Sequence, residues 1–428
     1  MTARQLTNMR ERVEAALDAT TLTRLGLETQ FARRLRDVTP HRMAVCLVTG
    51  LAVGRVMTLA DLLRVFNALT GRKVRYKPFH NQLVKEQFPA FMRGVFEHLA
   101  SRLVMRVLGA GPGHALRQFE DIVVHDGSSM QLADSLRAQF PGRFTNSCPA
   151  AVELHATMSV LRDQPLRVSL AADCVAEREF LPEPASLAGK LLLADRGYAS
   201  IGYCTQLAEA GASFIIRCKK DIVPVVLQDP RRRTVPQLLR RGRGADWNVE
   251  WLRAGQRVQL RLVVLWSRPR RQHVFLVTNL PRERFDAHAV DQLYRLRWQV
   301  ELLFKEWKSH VNLHRFATGK ATIAEGLVWA SLSAALLKRF LAHAAQLVLR
   351  AEVSTRTTAM AVGHHLTLLA RALLGARPVA RPLSQLLRFL VHNASRAHPR
   401  RDRLTGRLRS GLRPTWLAAD FSLRTAKD

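Results

Sequence analysis

Apolar residues recur at three- and four-residue spacing through the first part of the chain, and this spacing predicts a helical region over residues 1–115. Thr58 and Asp61 are suited to the start of one of these helices, because a hydroxyl caps free backbone N–H groups and an acid is favoured in the first turn. A basic turn over residues 72–78 follows, and then a polar helix over residues 79–85.

From residue 121 onward the pattern changes to short, β-branched apolar runs, which predict buried strands. The run 121–126 ends in Asp126 before small residues, and the run 191–194 is followed by Asp195. Acids at the carboxyl ends of buried strands lie where open sheets place their sites. The remaining strands are predicted at residues 152–160, 166–172, 214–218 and 274–279.

The pattern breaks up between residues 221 and 272, where Gly and Pro separate short alternating runs and predict a mostly β insertion. We expect its tryptophans, Trp247, Trp251 and Trp266, to pack in the core, although one of them could stack on an unpaired base. Further along, apolar spacing predicts three helices, at residues 324–347, 353–374 and 383–391. An arginine-rich segment at residues 396–413 predicts a solvated basic tail.

Residues 291–308 predict a helix with two different stripes. Its apolar stripe predicts docking onto a core and consists of Leu293, Leu296, Val300, Leu303, Phe304 and Trp307. Its polar stripe carries one acid among cations and consists of Tyr294, Arg297, Glu301, Lys305 and Lys308. A solvated charged face is the plain alternative, but an acid flanked by Arg and Lys suits a site for both a metal and phosphates. We expect Trp298 to pack.

Composition adds one strong feature, which is charge. Lys and Arg total 66 against 34 Asp and Glu, giving a net charge of +32 and a pI near 11.4, which favour a polyanionic partner. Nucleic acid is favoured over an anionic membrane, because we find no long apolar span or signal-like start and the positive charges are spread along the chain. The five scattered cysteines fit a reducing cytoplasm and buried structural roles.

The basic turn over residues 72–78 and its flanking helices are compatible with a helix-turn-helix that binds DNA. An ordinary solvated helical hairpin explains these residues equally well.

Asp126, Asp195 and Glu301 form the candidate metal site. Each has a plain alternative, because an acid after a strand is often a turn former or a helix cap. Three hard oxygen ligands suit Mg²⁺ or Mn²⁺ better than zinc, and two such ions support in-line phosphoryl transfer.

Four residues on the 291–308 helix carry a resemblance to a known family. Tyr294, Arg297, Glu301 and Lys308 reproduce the Y-x2-R-x3-E-x6-K signature of DDE transposases of the insertion-sequence-four family, and Asp195-Arg196-Gly197-Tyr198 resembles their second motif. The resemblance implies an α/β fold with a ribonuclease-H-like catalytic core, a β insertion, and helical N-terminal and C-terminal regions. It also implies cleavage at the ends of a mobile element, and strand transfer of the freed 3′-hydroxyls into target DNA.

The resemblance further implies the role of each residue. Asp126, Asp195 and Glu301 are expected to be catalytic and to bind two Mg²⁺ or Mn²⁺ ions. The residues expected to bind DNA are Tyr294, Arg297, Lys308, Lys305, Arg196 and Tyr198. The implied partners are double-stranded DNA, as terminal inverted repeats and target, and a second copy in a synaptic homodimer at the bacterial nucleoid. A catalytically silent DNA-binding protein and a metal-dependent nuclease without strand transfer remain the alternatives.

We therefore expect five segments. They are a helical DNA-binding domain (1–115), the first part of the catalytic core (116–220), the β-rich insertion (221–272), the second part of the core with the Glu301 helix (273–345), and a helical region with the basic tail (346–428).

Overall fold

The structure is a computed structural model that describes residues 3–54, 56–219, 223–253, 256–310, 318–375, 377–395 and 410–415. The predicted basic tail therefore lies outside the described residues up to residue 409.

Six helices fill the N-terminal region, which confirms the prediction from apolar spacing. They are α1 (Ala3–Ala16), α2 (Ala19–Glu28), α3 (Pro40–Val53), α4 (Leu59–Thr70), α5 (Tyr76–Leu83) and α6 (Phe88–Arg102). The Thr58 hydroxyl accepts from the Asp61 N–H, and the Asp61 carboxylate accepts from the Thr58 N–H, so the predicted start of α4 is confirmed. The helix α5 begins earlier than predicted, because Pro78 in its first turn needs no N–H partner there.

Helical structure stops before residue 115. Strand β1 (Leu108–Ala110) pairs antiparallel with Leu412–Pro414. Leu412 is 304 positions after Leu108 in the sequence. This pairing follows from contacts far apart in sequence, which local apolar spacing does not report.

Within the described residues the central sheet has ten strands, and the predicted apolar runs are confirmed as strands. They are β2 (Ile122–Gln131), β3 (Pro141–Phe144), β4 (Cys148–Ser159), β5 (Gln164–Ala172), β6 (Leu191–Ala194), β7 (Ser213–Arg217), β8 (Val225–Val226), β9 (Ala245–Arg253), β10 (Gln256–Ser267) and β11 (Gln272–Thr278). Two helices lie between them in sequence, α7 (Ile201–Glu209) and α8 (Val235–Leu238). The strands β8, β9 and β10, which lie in the predicted insertion, extend the same sheet.

The strand order is β3-β4-β2-β6-β7-β11-β10-β9-β8, with β5 also paired to β4. The strands β2, β6 and β7 are parallel, and their neighbours on both sides are antiparallel. Asp126 does not end its strand as predicted, because β2 continues beside β4 to Gln131. The parallel pairing of β2 with β6 nevertheless stops at His125 and Ala194, so Asp126 and Asp195 each follow directly after it.

The predicted 291–308 helix is two helices, α9 (Ala287–Tyr294) and α10 (Trp298–His310), joined by a 3-10 turn at Arg295–Arg297. The single continuous helix was therefore wrong, although the apolar stripe is buried as predicted. The prediction that Trp298 packs was wrong, since 48% of its surface is exposed.

Four helices follow, α11 (Ala321–Leu349), α12 (Thr355–Ala361), α13 (Gly363–Leu373) and α14 (Ala380–Asn393), and the last described strand is β12 (Leu412–Pro414). We expected no long apolar span, but α11 is long and apolar enough to cross a membrane by length and composition alone. In the structure 83% of its most apolar window is buried inside the protein, so packing in the core accounts for that composition.

Alternating residues of the central strands face two apolar cores. Val124, Leu193 and Ile215 join a core shared with the N-terminal helices and with α11, α13 and α14. Val123 and Leu192 face the opposite core, which α7 covers. A parallel sheet buried on both faces explains why its strands read as continuous apolar runs.

Candidate active site

Asp126 is a partly buried acid in the middle of the sheet. One carboxylate oxygen accepts the Gly127 N–H at 3.0 Å, and the other accepts the Arg297 guanidinium at 3.1 Å. Burial raises the pKa of Asp126 to about 6; Arg297 opposes this effect, whereas the charges of Asp195 and Glu301 add to it. Its negative charge is therefore only partly compensated by Arg297.

Asp195 follows β6 and occupies the position before the 3-10 turn Arg196–Tyr198, without a side-chain capping hydrogen bond. It accepts the Tyr294 hydroxyl at 3.1 Å and lies 3.5 Å from the Arg217 guanidinium. Burial alone would raise its pKa, but the Arg196 N–H, Arg297 and Tyr294 hold that pKa below its ordinary value. The fold thus shifts the pKa values of the two strand acids in opposite directions, raising that of Asp126 and lowering that of Asp195.

Arg297 connects the acids. One of its nitrogens donates to Asp126 and another to Glu301 at 2.5 Å, while its guanidinium carbon lies 6.0 Å from the centre of the Tyr294 ring. Its side chain is 13% exposed, so these interactions form away from bulk water. The structure therefore brings together Asp126, Glu301 and Arg297, and it links Asp195 to them through Tyr294.

The two predicted lysines differ in burial. Lys305 is exposed, and its ammonium nitrogen lies 5.2 Å from the centre of the Trp298 ring. Lys308 is half-buried; burial lowers its pKa, and the charge of Glu153 opposes that effect.

The two residues after Asp195 differ from one another. Arg196 is exposed beside the acids and remains free to meet an anion arriving from solvent. Tyr198 is only 1% exposed, and its ring packs edge-on against His125 at 5.0 Å. The expectation that Tyr198 contacts DNA does not fit this burial, because the ring fills the core beneath the site.

Two arginines that support the site were missed from the sequence. Arg217 ends β7 and pairs with Asp195. Arg178 donates to the Gly197 and Ala199 carbonyls and so holds the turn after Asp195. The position of Arg217 at the end of an apolar run was a usable signal, because the same context identified both strand acids.

Glu153 is a further acid that the sequence did not reveal. It lies on β4 and is 3% exposed, and its carboxylate pairs with Arg143 at 3.2 Å. Burial raises its pKa to about 7, with smaller contributions from Glu177 and from Asp126. A Cβ on Gly127 would stand 2.6 Å from this carboxylate, so the glycine after Asp126 makes room for Glu153.

The three predicted ligands fit a hard divalent cation in donor type and in charge. All three supply carboxylate oxygens, and burial raises the pKa of Asp126, with the charges of Asp195 and Glu301 adding to that effect. Among the residues that the structure describes, no group of three acidic, His or Cys side chains is gathered closely enough to hold one ion together. The Arg297 guanidinium lies between two of the carboxylates instead, so it must move aside for shared coordination.

Exposed cations cover the predicted DNA-binding region. Arg72, Lys73, Arg75 and Lys77 are all exposed in and beside the turn between α4 and α5. The Arg72 guanidinium lies 3.1 Å from Asp37, which ties this turn to the loop before α3. A short helix with a basic, solvated start is therefore available to a polyanion.

Comparison with known proteins gives one family. The model of the family described as "Transposase DDE domain" matches residues 117–337, which is more than half of the chain. This segment includes all three acids discussed above.

Individual relatives match over different lengths. The transposase for insertion sequence element IS421 from Escherichia coli is 42% identical over 65 residues, which is 15% of this chain and 18% of that transposase. The transposase for insertion sequence element IS231E from Bacillus thuringiensis subsp. finitimus is 20% identical over 440 aligned residues, covering 91% of this chain and 92% of that protein. A solved structure of a piggyBac transposase synaptic complex with hairpin DNA aligns with a TM-score of 0.48 and 12% identity, covering 92% of this chain and 86% of that one.

Proposed function

Because the chain belongs to the DDE transposase family, we propose that it cuts DNA at the ends of a mobile element and joins the freed 3′-hydroxyls to target DNA. Within that family, the spacing of Tyr294, Arg297, Glu301 and Lys308 supports membership of the insertion-sequence-four group. Its place of action is then the DNA of a bacterial cytoplasm.

One observation carries the proposal. Asp126 and Glu301 are 175 positions apart in sequence, counted from 126 to 301, yet both accept from the same guanidinium. Asp195 is electrostatically coupled to Asp126 and to Arg297. Folding a stable core does not need acids held together against their mutual repulsion, whereas binding metal ions does.

The sheet supports a ribonuclease-H-like core. Its strands run in the order β5-β4-β2-β6-β7, and only β2, β6 and β7 are parallel. We retain the division of the chain at residues 115, 220, 272 and 345 as part of the proposal, with the strands β8 to β10 as the insertion.

Asp126, Asp195 and Glu301 are the residues that would hold two Mg²⁺ or Mn²⁺ ions. Such a pair, when bound, supplies activation of the attacking water or 3′-hydroxyl and stabilisation of the leaving oxygen. The protein contributes two carboxylates that follow the parallel pairing of β2 with β6 and a third on the helix α10, and coordination by all three needs the Arg297 guanidinium to move.

Phosphate binding falls to the cations around the acids. The Arg297 fork now donates to two carboxylates, and the same two nitrogens can donate to two oxygens of one phosphate. Tyr294 holds the Asp195 carboxylate in place through its hydroxyl. Exposed Arg196 and half-buried Lys308 extend the cationic surface on which the DNA end would lie.

The proposed partners are double-stranded DNA and a second copy of the chain. The exposed basic turn between α4 and α5 would recognise the terminal repeat, so recognition would be separate from the chemistry. Two ends must be cut and joined together, and a synaptic homodimer would supply one site for each end.

The decisive experiment compares carboxylate variants on DNA. A plasmid carrying the inverted repeats that flank the gene is incubated with protein and Mg²⁺. Asp126→Asn, Asp195→Asn and Glu301→Gln should each slow cleavage and joining by about a thousandfold or more, because several kcal/mol of transition-state stabilisation are lost. Binding to the repeats should persist, since the recognition helices are unchanged.

Asp291→Asn is the matched control. Asp291 lies on α9 and forms an ion pair with the nearby Arg295, away from the three carboxylates in sequence and in role, so this variant should keep the parental rates. Products that are cut but never joined identify a nuclease, and binding without cutting identifies a silent DNA-binding protein. Any of the three carboxylate variants that still cuts at the parental rate refutes the three-acid site.

A further inference from the structure

A buried group of charged residues joins three elements beneath the candidate site. Arg339 of α11 is 4% exposed, Asp163 in the turn between β4 and β5 is 1% exposed, and Glu306 of α10 is 7% exposed. None of these residues is in the signature that identifies the acids, and none of them reaches solvent.

The contacts of Arg339 use all three of its guanidinium nitrogens. One donates to the Asp163 carbonyl, a second donates to the Asp163 carboxylate at 3.0 Å, and the third donates to Glu306 at 2.6 Å. His343, one turn further along α11, lies 3.3 Å from the other Asp163 oxygen. One side chain therefore bonds both to the sheet hairpin and to the helix that carries Glu301.

Charge is an expensive way to stabilise a core. Replacing a buried ion pair by apolar groups of similar volume is often neutral or stabilising, so this network needs a reason other than stability. The apolar residues of α10 bury area but fix neither its rotation nor its axial position closely, because the hydrophobic effect has no direction. The guanidinium fork is directional and fixes both.

The network connects the helix that carries Glu301 with the hairpin that pairs with the strand of Asp126. Glu306 is five residues after Glu301 on α10, which is about 7.5 Å along the helix axis. Asp163 terminates the β4–β5 hairpin, and β4 pairs in register with β2 at Asp126. A shift of α10 relative to the hairpin would thus change the separation of Glu301 from Asp126.

From this geometry we infer that Arg339, with Asp163 and Glu306, is a positioning residue that sets where Glu301 stands relative to Asp126. The inference rests on the proposed function for its catalytic consequence, but its structural statement stands on the contacts alone. Asp163 has φ +52°, a conformation that asparagine also adopts, so Asp163→Asn preserves the turn.

The test removes all three residues of the network together, and the buried Lys338, which Glu306 helps to keep charged, can then lose its proton because burial already lowers its pKa to about 8. The triple variant Asp163→Asn, Glu306→Met, Arg339→Met should fold with a Tm near or above that of the parent. In its crystal structure, Arg297 should no longer bridge Asp126 and Glu301. Binding of Mn²⁺, followed by electron paramagnetic resonance, should weaken about tenfold, and kcat for cleavage of repeat DNA should fall ten- to hundredfold with KM unchanged.

Leu366→Ala is the control for lost stability. Leu366 is fully buried in α13, which packs mainly on α3 and α14. This variant should unfold at lower temperature yet keep the parental Mn²⁺ affinity and kcat. The single variant Arg339→Lys keeps the charge but not the fork, and it should fall between the parent and the triple variant in both measurements.

The outcomes separate the two proposals. A triple variant in which Arg297 still bridges both carboxylates overturns the inference, whatever the enzyme does. If Glu301 is displaced in the triple variant and the parent protein does not cut DNA, the positioning role is supported and the proposed function is refuted. A triple variant with a higher KM for DNA and an unchanged kcat also overturns the inference, because misplacing a catalytic acid acts on the chemical step.

Discussion

At the scale of single residues, the candidate site is defined by unequal compensation of charge. Asp195 has two cations and a hydroxyl around it, and its pKa is lowered. Asp126 has one guanidinium, and burial raises its pKa to about 6. An acid that the fold leaves undercompensated lowers the stability of the free protein, and this is typical of a residue retained for function.

This imbalance predicts a stability change with a definite sign. The folded protein holds the Asp126 proton up to about pH 6, whereas the ordinary pKa is 3.8, so folding takes up a proton between these values. Stability therefore falls as pH rises through this window. Without metal or DNA, Asp126→Asn should raise the free energy of unfolding at pH 7.5 by about 1–3 kcal/mol, and the gain should vanish near pH 3.5.

Urea unfolding in EDTA at the two pH values measures this difference. Asp291→Asn, which removes a surface ion pair with Arg295, should change the free energy of unfolding by less than about 1 kcal/mol at either pH. A less stable Asp126→Asn protein at pH 7.5 would contradict the charge argument.

At the scale of elements, α11 organises the molecule. It packs against α3, α6, α12 and α14, and its apolar length is buried among them. Close approach to α6 depends on Gly326, where a Cβ would stand 2.3 Å from the ring of Phe88. Phe88 is itself fully buried, so that ring has little room to give way.

Two glycine substitutions compare helix propensity with packing. Alanine is favoured over glycine in a helix interior by about 1 kcal/mol, so propensity alone predicts that both variants gain stability. Gly326→Ala should instead lose about 1–3 kcal/mol, because overpacking outweighs that gain. Gly94→Ala in α6, where a Cβ would meet Leu25 at an ordinary 3.7 Å, should gain about 0.5–1 kcal/mol. Thermal unfolding of both variants tests this, and equal shifts would show that α11 tolerates the methyl group.

At the scale of the whole molecule, charge dominates. The net charge of +32 attracts a polyanion, so DNA affinity should fall steeply as salt increases. The cations that bind a DNA end must be distinguished from this general background.

Three alanine variants make that distinction. Arg297→Ala and Lys308→Ala should each weaken binding to repeat DNA and reduce the slope of log affinity against log salt by about one. Arg295→Ala removes the same charge from a residue that is 53% exposed and paired with Asp291, so it controls for net charge and should leave the slope unchanged. Fluorescence anisotropy over a salt series measures all three, and equal slopes would assign Arg297 and Lys308 structural roles only.

The sequence by itself determined the elements that depend on local pattern. Period-2 and continuous apolar runs marked the strands, three- and four-residue spacing marked most helices, and the Thr58–Asp61 cap marked the start of α4. It also singled out Asp126, Asp195 and Glu301, because strand-end context and signature spacing are properties of neighbouring residues.

Tertiary structure alone decided which side chains meet. Arg297 reaches Asp126 across 171 positions and Arg339 reaches Asp163 across 176, and no local period carries information over such distances. The burial of Tyr198, the exposure of Trp298 and the continuation of β2 past Asp126 likewise depend on what packs beside them. A residue's pattern reports the face on which it lies, whereas its partners are set by the packing of distant elements, which the chain specifies only as a whole.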